Sequence, residues 1–92
     1  MTVKLKYMSQ LKAALGTSQE EIEIATPCTL DQLLSGLVEK HGDNLKPLLF
    51  DREGKFQRSL LICLGDQQLP VGDATPVNDG DEVTLIVPIS GG

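Results

Sequence analysis

The sequence is poor in histidine and cysteine and contains no recognisable arrangement of catalytic residues. Its 92 residues include one histidine, His41, and two cysteines, Cys28 and Cys63. The cysteines form no CxxC pair, so we expect reduced, partly buried thiols rather than a disulfide framework or a zinc site. His41 falls in the last turn of a predicted helix, where its positive form would favour the carbonyl end of the helix dipole. Glycine-rich phosphate-binding loops are also absent. These absences disfavour an enzyme with its own active site, metal or cofactor.

Long apolar runs and positive charge are scarce as well. The longest apolar runs, residues 60–64 and 85–87, fall far short of the roughly 20 residues that span a bilayer. The first residues do not resemble a secretory signal, because Lys4 and Lys6 interrupt the apolar side chains. Eight Lys and Arg against thirteen Asp and Glu give a net charge of −5, which repels phosphate backbones and anionic lipids. We therefore expect a cytoplasmic protein that binds neither nucleic acid nor membrane.

Alternating apolar residues predict strands near both ends of the chain. Residues 3–7 and 21–24 alternate between apolar and polar side chains and together predict an N-terminal β-hairpin. A short helical turn or a wide connection is predicted between them at residues 8–15. The last strand is predicted at residues 83–87. The continuous apolar run 60–64 is typical of a strand covered on both faces, which predicts the middle of the sheet there.

One main helix is predicted after residue 29. Thr29 with Gln32 three residues on forms a capping-box pattern, and Gly42 is the expected C-terminal stop. The order β-β-α-β-β predicts an α+β domain over residues 1–87 with the β-grasp outline, a mixed sheet with one main helix packed on one face. The apolar stripe of the helix that should face the sheet consists of Leu30, Leu33, Leu34, Leu37 and Val38.

The sequence ends in a glycine pair that follows the last predicted strand. Gly91 and Gly92 have no Cβ, so their backbone can pass through a narrow slot and approach a reactive centre closely. Pro88 stiffens the exit from the sheet, and the five residues of the segment reach about 16 Å when extended. We expect residues 88–92 to form a flexible tail that places its carboxylate in the active site of another protein. A frayed terminus without a task is the alternative.

Several segments together resemble a known family of sulfur carriers. The run Asn-Asp-Gly-Asp-Glu-Val at residues 78–83, the apolar strand after it, Pro88 and the final Gly91 and Gly92 closely resemble the end of the molybdopterin synthase small subunit and of the related thiamine and cysteine-biosynthesis sulfur carriers. The first strand with the segment after it, and the helix capped by Thr29, fit the same family. This resemblance covers most of the chain and implies a ubiquitin-like β-grasp fold.

The resemblance also implies a chemistry for the tail. In that family an ATP-dependent, ubiquitin-activating-like adenylyltransferase adenylates the terminal glycine carboxylate, and persulfide sulfur displaces AMP to leave a thiocarboxylate. By this resemblance Gly92 carries the adenylate and then the thiocarboxylate, while Pro88 and Gly91 help to thread the tail. The chain would be a carrier with no bound cofactor, or the small subunit of a sulfurtransferase such as molybdopterin synthase. The expected acceptor of the sulfur is the molybdopterin synthase large subunit or a cysteine-synthase-type enzyme.

A partner is expected to bind the face of the sheet that the single helix leaves uncovered. Ile62, Leu64 and Ile86 are the residues predicted to form an apolar patch there. An ordinary core position is the alternative for each of them, because the pattern does not fix which face a side chain takes.

The sequence leaves the pathway and two other roles open. Residues 49–58 resemble an insert of the carriers that feed a cysteine-synthase-type enzyme, whereas residues 80–83 are also common in molybdopterin synthase subunits. A ubiquitin-like modifier, joined through Gly92 to lysines of target proteins, would begin with the same tail chemistry. A β-grasp interaction domain with an inert tail would be unaffected by the loss of Gly92.

Overall fold

Strands and short helices make up most of the described chain. The structure is a computed structural model, and it describes residues 2–25, 27–57, 59–70 and 75–87. A 3-10 turn at Gly42–Asn44 follows the longest helix. The elements in chain order are β1 (Thr2–Ser9), α1 (Gln10–Leu15), β2 (Gln19–Glu23), β3 (Cys28–Thr29), α2 (Leu30–His41), α3 (Lys46–Leu49), β4 (Leu61–Leu64), β5 (Gln67–Leu69), β6 (Pro76–Val77) and β7 (Glu82–Val87).

The main sheet has five strands in the order β2-β1-β7-β4-β5. β1 and β7 run parallel, and the other neighbours run antiparallel. A separate pair is formed by β3 and β6. The predicted mixed sheet and β-grasp outline are confirmed. The predicted centre is wrong, because β7 occupies the middle and β4 lies one place towards the edge. The run 60–64 is not covered on both faces either, since Leu61 is 36% exposed.

The predicted hairpin joins β1 to β2. Val3 lies opposite Ile22 and Lys4 opposite Glu21 in the antiparallel register. The connection between the strands contains α1, which ends at Gly16 with a φ of 74°. A residue with a Cβ adopts that left-handed conformation rarely, so glycine suits this helix end. The helical turn expected at residues 8–15 is therefore present as α1.

α2 begins and ends where the sequence predicts. The Gln32 backbone N–H donates to Thr29 Oγ1 at 3.2 Å, and the Thr29 N–H donates to Gln32 Oε1 at 3.0 Å, which completes the capping box. At the other end the N–H of Gly42 donates to Val38 O. The leucines of the predicted stripe are buried, and Val38 is partly buried against them. The apolar stripe thus fixes α2 across one face of the sheet.

The core lies between α2 and the face of the sheet that it covers. Apolar residues at alternate positions of β1 and β7 point into it, as expected from the period of two. No polar or charged residue is buried among the described residues. The buried residues are Val3, Leu5, Tyr7, Leu11, Leu30, Leu33, Leu34, Leu37, Leu45, Leu49, Leu60, Ile62, Leu69, Val77, Val83, Leu85 and Val87.

Candidate functional site

The strand that leads to the predicted tail lies in the middle of the sheet. β7 pairs with β1 on one side and β4 on the other, so that Val87 lies beside Ser9. Pro88, Gly91 and Gly92 fall outside the described residues, as does the whole segment 88–92. Their predicted roles in carrying sulfur and threading the tail, and the division into a domain and a tail, therefore stay predictions.

An apolar row crosses the open face of the sheet just before that strand ends. In register, Ile86 lies between Met8 of β1 and Leu61 of β4. Met8 is 49% exposed and Leu61 36%, and Ile86 is partly exposed. Because successive side chains of a strand point to opposite faces, all three lie on the face away from α2. Met8, Leu61 and Ile86 are called the apolar row below.

The predicted patch is wrong for two of its three residues. Ile62 is fully buried in the core, and Leu64, two positions on, shares its face and packs against the same core. The ordinary core position, the alternative left open by the sequence, is what the structure shows. Ile86 does lie on the open face, and a role in binding stays a prediction. The facing was missed because a run of five apolar residues carries no alternation from which it could be deduced.

Two residues of the apolar row were not predicted. Met8 continues the alternation of β1, in which Leu5 and Tyr7 are buried and the even-numbered positions face outward. That parity was a usable signal for Met8. Leu61 had no such signal, because its position within the apolar run is fixed only by the pairing of β4 with β7.

A polar row borders the apolar row on the open face. Thr84 lies between Lys6 of β1 and Cys63 of β4. Lys6 Nζ also lies 3.1 Å from Glu82 Oε1, and both side chains are about 40% exposed. An ion pair so exposed contributes about 1 kcal/mol or less to folding. An apolar strip beside polar and charged side chains is the arrangement found in many protein interfaces.

A second cluster, on the helix side, ties the edge of the sheet to the end of α2. Tyr7 Oη donates to Glu20 Oε1 at 2.9 Å, and His41 Nε2 lies 3.1 Å from the same oxygen. Lys40 Nζ is 3.6 Å from it. The rings of Tyr7 and His41 meet edge to face with centroids 6.4 Å apart. His41 was predicted to complement the helix dipole, and no local pattern indicates these contacts between distant residues.

This cluster sets the ionisation of its members. Burial raises the pKa of Tyr7 well above its ordinary value, and the hydrogen bond to Glu20 and the charge of Glu20 add to the effect. Burial alone would raise the pKa of Glu20 as well. The hydrogen bonds with His41 and Tyr7 and the positive charges of His41 and Lys40 outweigh it, so the pKa of Glu20 is lowered. The arrangement favours an ionised carboxylate beside a neutral phenol, which is a stabilising contact rather than an acid-base pair poised for catalysis.

We expect Glu20→Gln to lower the free energy of unfolding by about 1–2 kcal/mol at neutral pH, because it removes a charged hydrogen-bond acceptor. A lowered pKa in the folded state means that the contribution is fully present above the ordinary value of 4.5 and is lost as the pH falls through the lower folded value. The difference between wild type and variant should therefore shrink in that acidic range. Urea unfolding curves over a pH series measure it.

The matched control is Glu21→Gln, since Glu21 is the next residue and is exposed. This variant should differ from the wild type by less than about 0.5 kcal/mol at neutral pH. A Glu20→Gln difference that stayed constant down to the most acidic point would contradict the assigned ionisation.

Other chemistry-bearing groups lie apart from one another. Both cysteines are free and partly buried, as predicted, and burial raises the pKa of the Cys28 thiol. Within the described ranges, His, Cys, Asp and Glu side chains form no group of three or more that could hold a metal ion. None of the described helices is long and apolar enough to cross a bilayer.

Comparisons with known proteins agree with this architecture. A family model described as the ThiS family matches residues 5–92. The molybdopterin synthase sulfur carrier subunit of Chlamydomonas reinhardtii is 24% identical over 92 residues, or 100% of both chains.

Solved structures show the same fold. SAMP1 from Haloferax volcanii superimposes with a TM-score of 0.83 and 24% identity over 100% of both chains. The complex of subunits 1 and 2 of the molybdopterin-converting factor from Helicobacter pylori 26695 gives a TM-score of 0.63 and 22% identity, again over 100% of both chains. These likenesses confirm the ubiquitin-like β-grasp fold predicted from the sequence. Since the family model spans nearly the whole sequence, the chain belongs to the ThiS family.

Proposed function

We propose that this chain is a sulfur carrier whose Gly92 carboxylate is adenylated and then converted to a thiocarboxylate that donates sulfur in biosynthesis. The observation that carries the proposal is the apolar row of Met8, Leu61 and Ile86, which lies where the central strand leads towards Gly91 and Gly92. The chain belongs to the ThiS family, and a partner bound on this row would lie beside the end of β7, the strand that residues 88–92 follow in the sequence.

The chemistry requires only a carboxylate from the carrier. A carboxylate oxygen of Gly92 attacks the α-phosphorus of ATP, pyrophosphate leaves, and a mixed anhydride with AMP forms. The terminal sulfur of a persulfide then attacks the carbonyl carbon and AMP leaves. A thiol cleaves the resulting S–S bond, giving the thiocarboxylate and a disulfide. The activating enzyme and the sulfur donor supply every other reacting group, and the consumption of ATP fits a cytoplasmic protein.

The proposed sulfur acceptor is the large subunit of molybdopterin synthase. The relative from Chlamydomonas reinhardtii is named as the sulfur carrier subunit of that enzyme. The structure from Helicobacter pylori is a complex of subunits 1 and 2 of the molybdopterin-converting factor. Both names support an assembly of a carrier subunit with a second subunit. The open face is the surface that we propose for this contact.

A cysteine-synthase-type acceptor is the second candidate, and it rests on the loop after α3. The Phe50 and Phe56 rings stack with centroids 4.7 Å apart. The Gln57 N–H donates to Leu49 O at 2.8 Å, so the ends of the loop are held together. An ordered, exposed loop of this kind is a second feature that an acceptor could recognise.

A modifier role is the alternative that a specific observation favours. Haloferax volcanii SAMP1, whose name denotes a small archaeal modifier protein, has the TM-score of 0.83 given above, against 0.63 for the Helicobacter pylori chain. Both roles begin with the same activated carboxylate. They differ in whether sulfur or the ε-amine of a target lysine attacks it.

The test is the intact mass of the protein made in its own host, together with reaction with a thiocarboxylate-selective probe. Replacement of one C-terminal oxygen by sulfur, with labelling by the probe, is the result expected of a carrier. The probe is needed because oxidation of methionine or cysteine changes the mass by nearly the same amount. Isopeptide-linked ladders without a probe-reactive species would instead establish the modifier role.

A further inference from the structure

The outer edge of β2 has backbone hydrogen-bonding groups that are not used by any strand among the described residues. Residues of an antiparallel strand direct their N–H and C=O groups alternately to one side and the other. The Tyr7 N–H donates to Ser18 O at 2.8 Å, which places the even-numbered residues of β2 towards β1. The backbone groups of Glu21 and Glu23 therefore point outward, and no strand in the described part of the chain pairs with them. A further strand can be added along this edge.

An apolar groove runs beside this edge, between β2 and α2. Ile22 lies opposite the buried Val3, so its side chain is on the helix side of the sheet. Its apolar lining includes Ile22 and Ile24 from the sheet side and Leu33 and Leu37 from α2. Glu23, Gln32 and Lys40 also line the groove, and Lys40 is paired with Glu20. A strand added to β2 would direct every second side chain into this groove. Aliphatic side chains match its lining.

A glycine in the middle of α2 also lines the groove. Gly36 is exposed, and a Cβ built on it would have no atom within 4 Å. Packing within the chain therefore does not require glycine there, although glycine in a helix interior costs about 1 kcal/mol relative to alanine. The missing side chain leaves the groove open beside the β2 edge, where the backbone of a bound segment would pass.

The other face of the β2 edge is acidic. Glu21 and Glu23 are exposed on the open face, and no described side chain forms an ion pair with either carboxylate. Residues directly opposite Glu21 and Glu23 on an added strand would lie beside these carboxylates, where basic side chains are favoured. The chain already contains a strand of that composition. In β1, the buried apolar or aromatic side chains of residues 3, 5 and 7 alternate with two lysines, and Lys4 lies opposite Glu21.

We propose that the outer edge of β2 and the groove beside it bind an extended segment of a partner protein in which aliphatic and basic side chains alternate. The aliphatic side chains enter the groove and the basic ones lie beside Glu21 and Glu23. A second copy of the chain fits poorly, because pairing through the same edge would set these carboxylates against each other. This site is at the opposite side of β1 from β7, so it can be occupied while the tail is engaged elsewhere.

The test uses the full chain and a capped synthetic peptide of alternating valine and lysine. Binding should appear in NMR titrations as shifts and slowed exchange of the Glu21 and Glu23 amides. A peptide of the same composition with its valines and lysines in two blocks should bind at least about tenfold more weakly. Both peptides have the same charge, so their general attraction to a chain of net charge −5 is equal. A difference in affinity therefore reports the alternating pattern.

Two variants locate the site without threatening the fold. Gly36→Gln places a side chain in the groove and a better helix former in α2, so it should raise the free energy of unfolding while weakening peptide binding about tenfold or more. Its matched control is Ser35→Gln, because Ser35 is exposed on the same helix and does not line the groove. This control should bind the peptide as the wild type does.

Glu23→Lys should shift the preference towards a peptide of alternating valine and glutamate. The inference would be overturned by equal binding of the alternating and block peptides, by unchanged binding to Gly36→Gln, or by shifts confined to the apolar row. None of these results depends on the thiocarboxylate, so a failure here is separate from a failure of the carrier proposal.

Discussion

Deletion of Gly92 is expected to slow formation of the thiocarboxylate by at least about 100-fold. The variant should unfold at the same temperature as the wild type. Deletion still leaves a glycine carboxylate at Gly91, but it withdraws the carboxylate by about 3.5 Å. A displacement of only about 1 Å can cost on the order of 100-fold when reacting atoms must be aligned. The last buried residue in the described part of the chain is Val87, so the core should be unaffected.

Pyrophosphate exchange with the purified activating enzyme and labelling by the thiocarboxylate probe would measure this loss. Gly92→Ala is the informative companion, because it keeps the length of the tail and adds only a Cβ. Gly92→Ala should form more thiocarboxylate than the deletion if the length of the tail limits the reaction. It should form as little as the deletion if the slot for the tail admits no side chain. Equal labelling of the wild type and the deletion would show that Gly92 does not carry the sulfur.

Leu61→Glu and Ile62→Ala are expected to have opposite effects although the residues are neighbours. Leu61 lies in the apolar row, so a carboxylate there should change the free energy of unfolding by less than about 1 kcal/mol. Binding to a partner that covers the row should weaken about 100-fold, since the charge would be buried without a hydrogen-bonding group. Ile62 is fully buried, and its truncation should cost about 2–5 kcal/mol of folding stability.

Urea unfolding, and titration calorimetry against the large subunit that we propose as the acceptor, would measure the two effects separately. Ile62→Ala should bind normally once the unfolded fraction is subtracted. Gln68→Glu provides a control for charge alone, because Gln68 is exposed and lies opposite Cys63, which places it on the same face as Leu61. If Leu61→Glu bound the partner as tightly as the wild type, the apolar row would not be the docking surface.

Local patterns in the sequence were sufficient to predict most elements of the fold. The alternation in residues 3–7 and 83–87, and the capping box at Thr29, depend on neighbours within a few positions and are visible in one sequence. The order of the strands is not local. β7 pairs with a strand from the other end of the chain, and neither strand shows in its own residues which neighbours it will have.

The candidate site was less predictable for the same reason. Met8 could have been assigned to the open face from the parity of β1, whereas the facing of Leu61, Ile62 and Leu64 depends on how β4 pairs with β7. The contacts of Glu20 with Tyr7 and His41 depend on how the β2 edge meets the end of α2. Contacts between segments that are distant in the sequence produce no periodic pattern in a single sequence, so they cannot be predicted from it.

The central place of β7 makes the order of synthesis important. Without residues 82–87, the pair β1–β2 has no contact in the sheet with the pair β4–β5. The Thr2 N–H donates to Asp79 Oδ1 at 2.7 Å, so the start of β1 also depends on a residue 77 positions later in the sequence. Ribosomes synthesise the chain from the N-terminus. The pairs β1–β2 and β4–β5 therefore cannot join into one sheet until β7 has been synthesised. We therefore expect a chain that ends before β7 to leave both hairpins without the strand that joins them, and to be degraded by proteases as an unfolded protein.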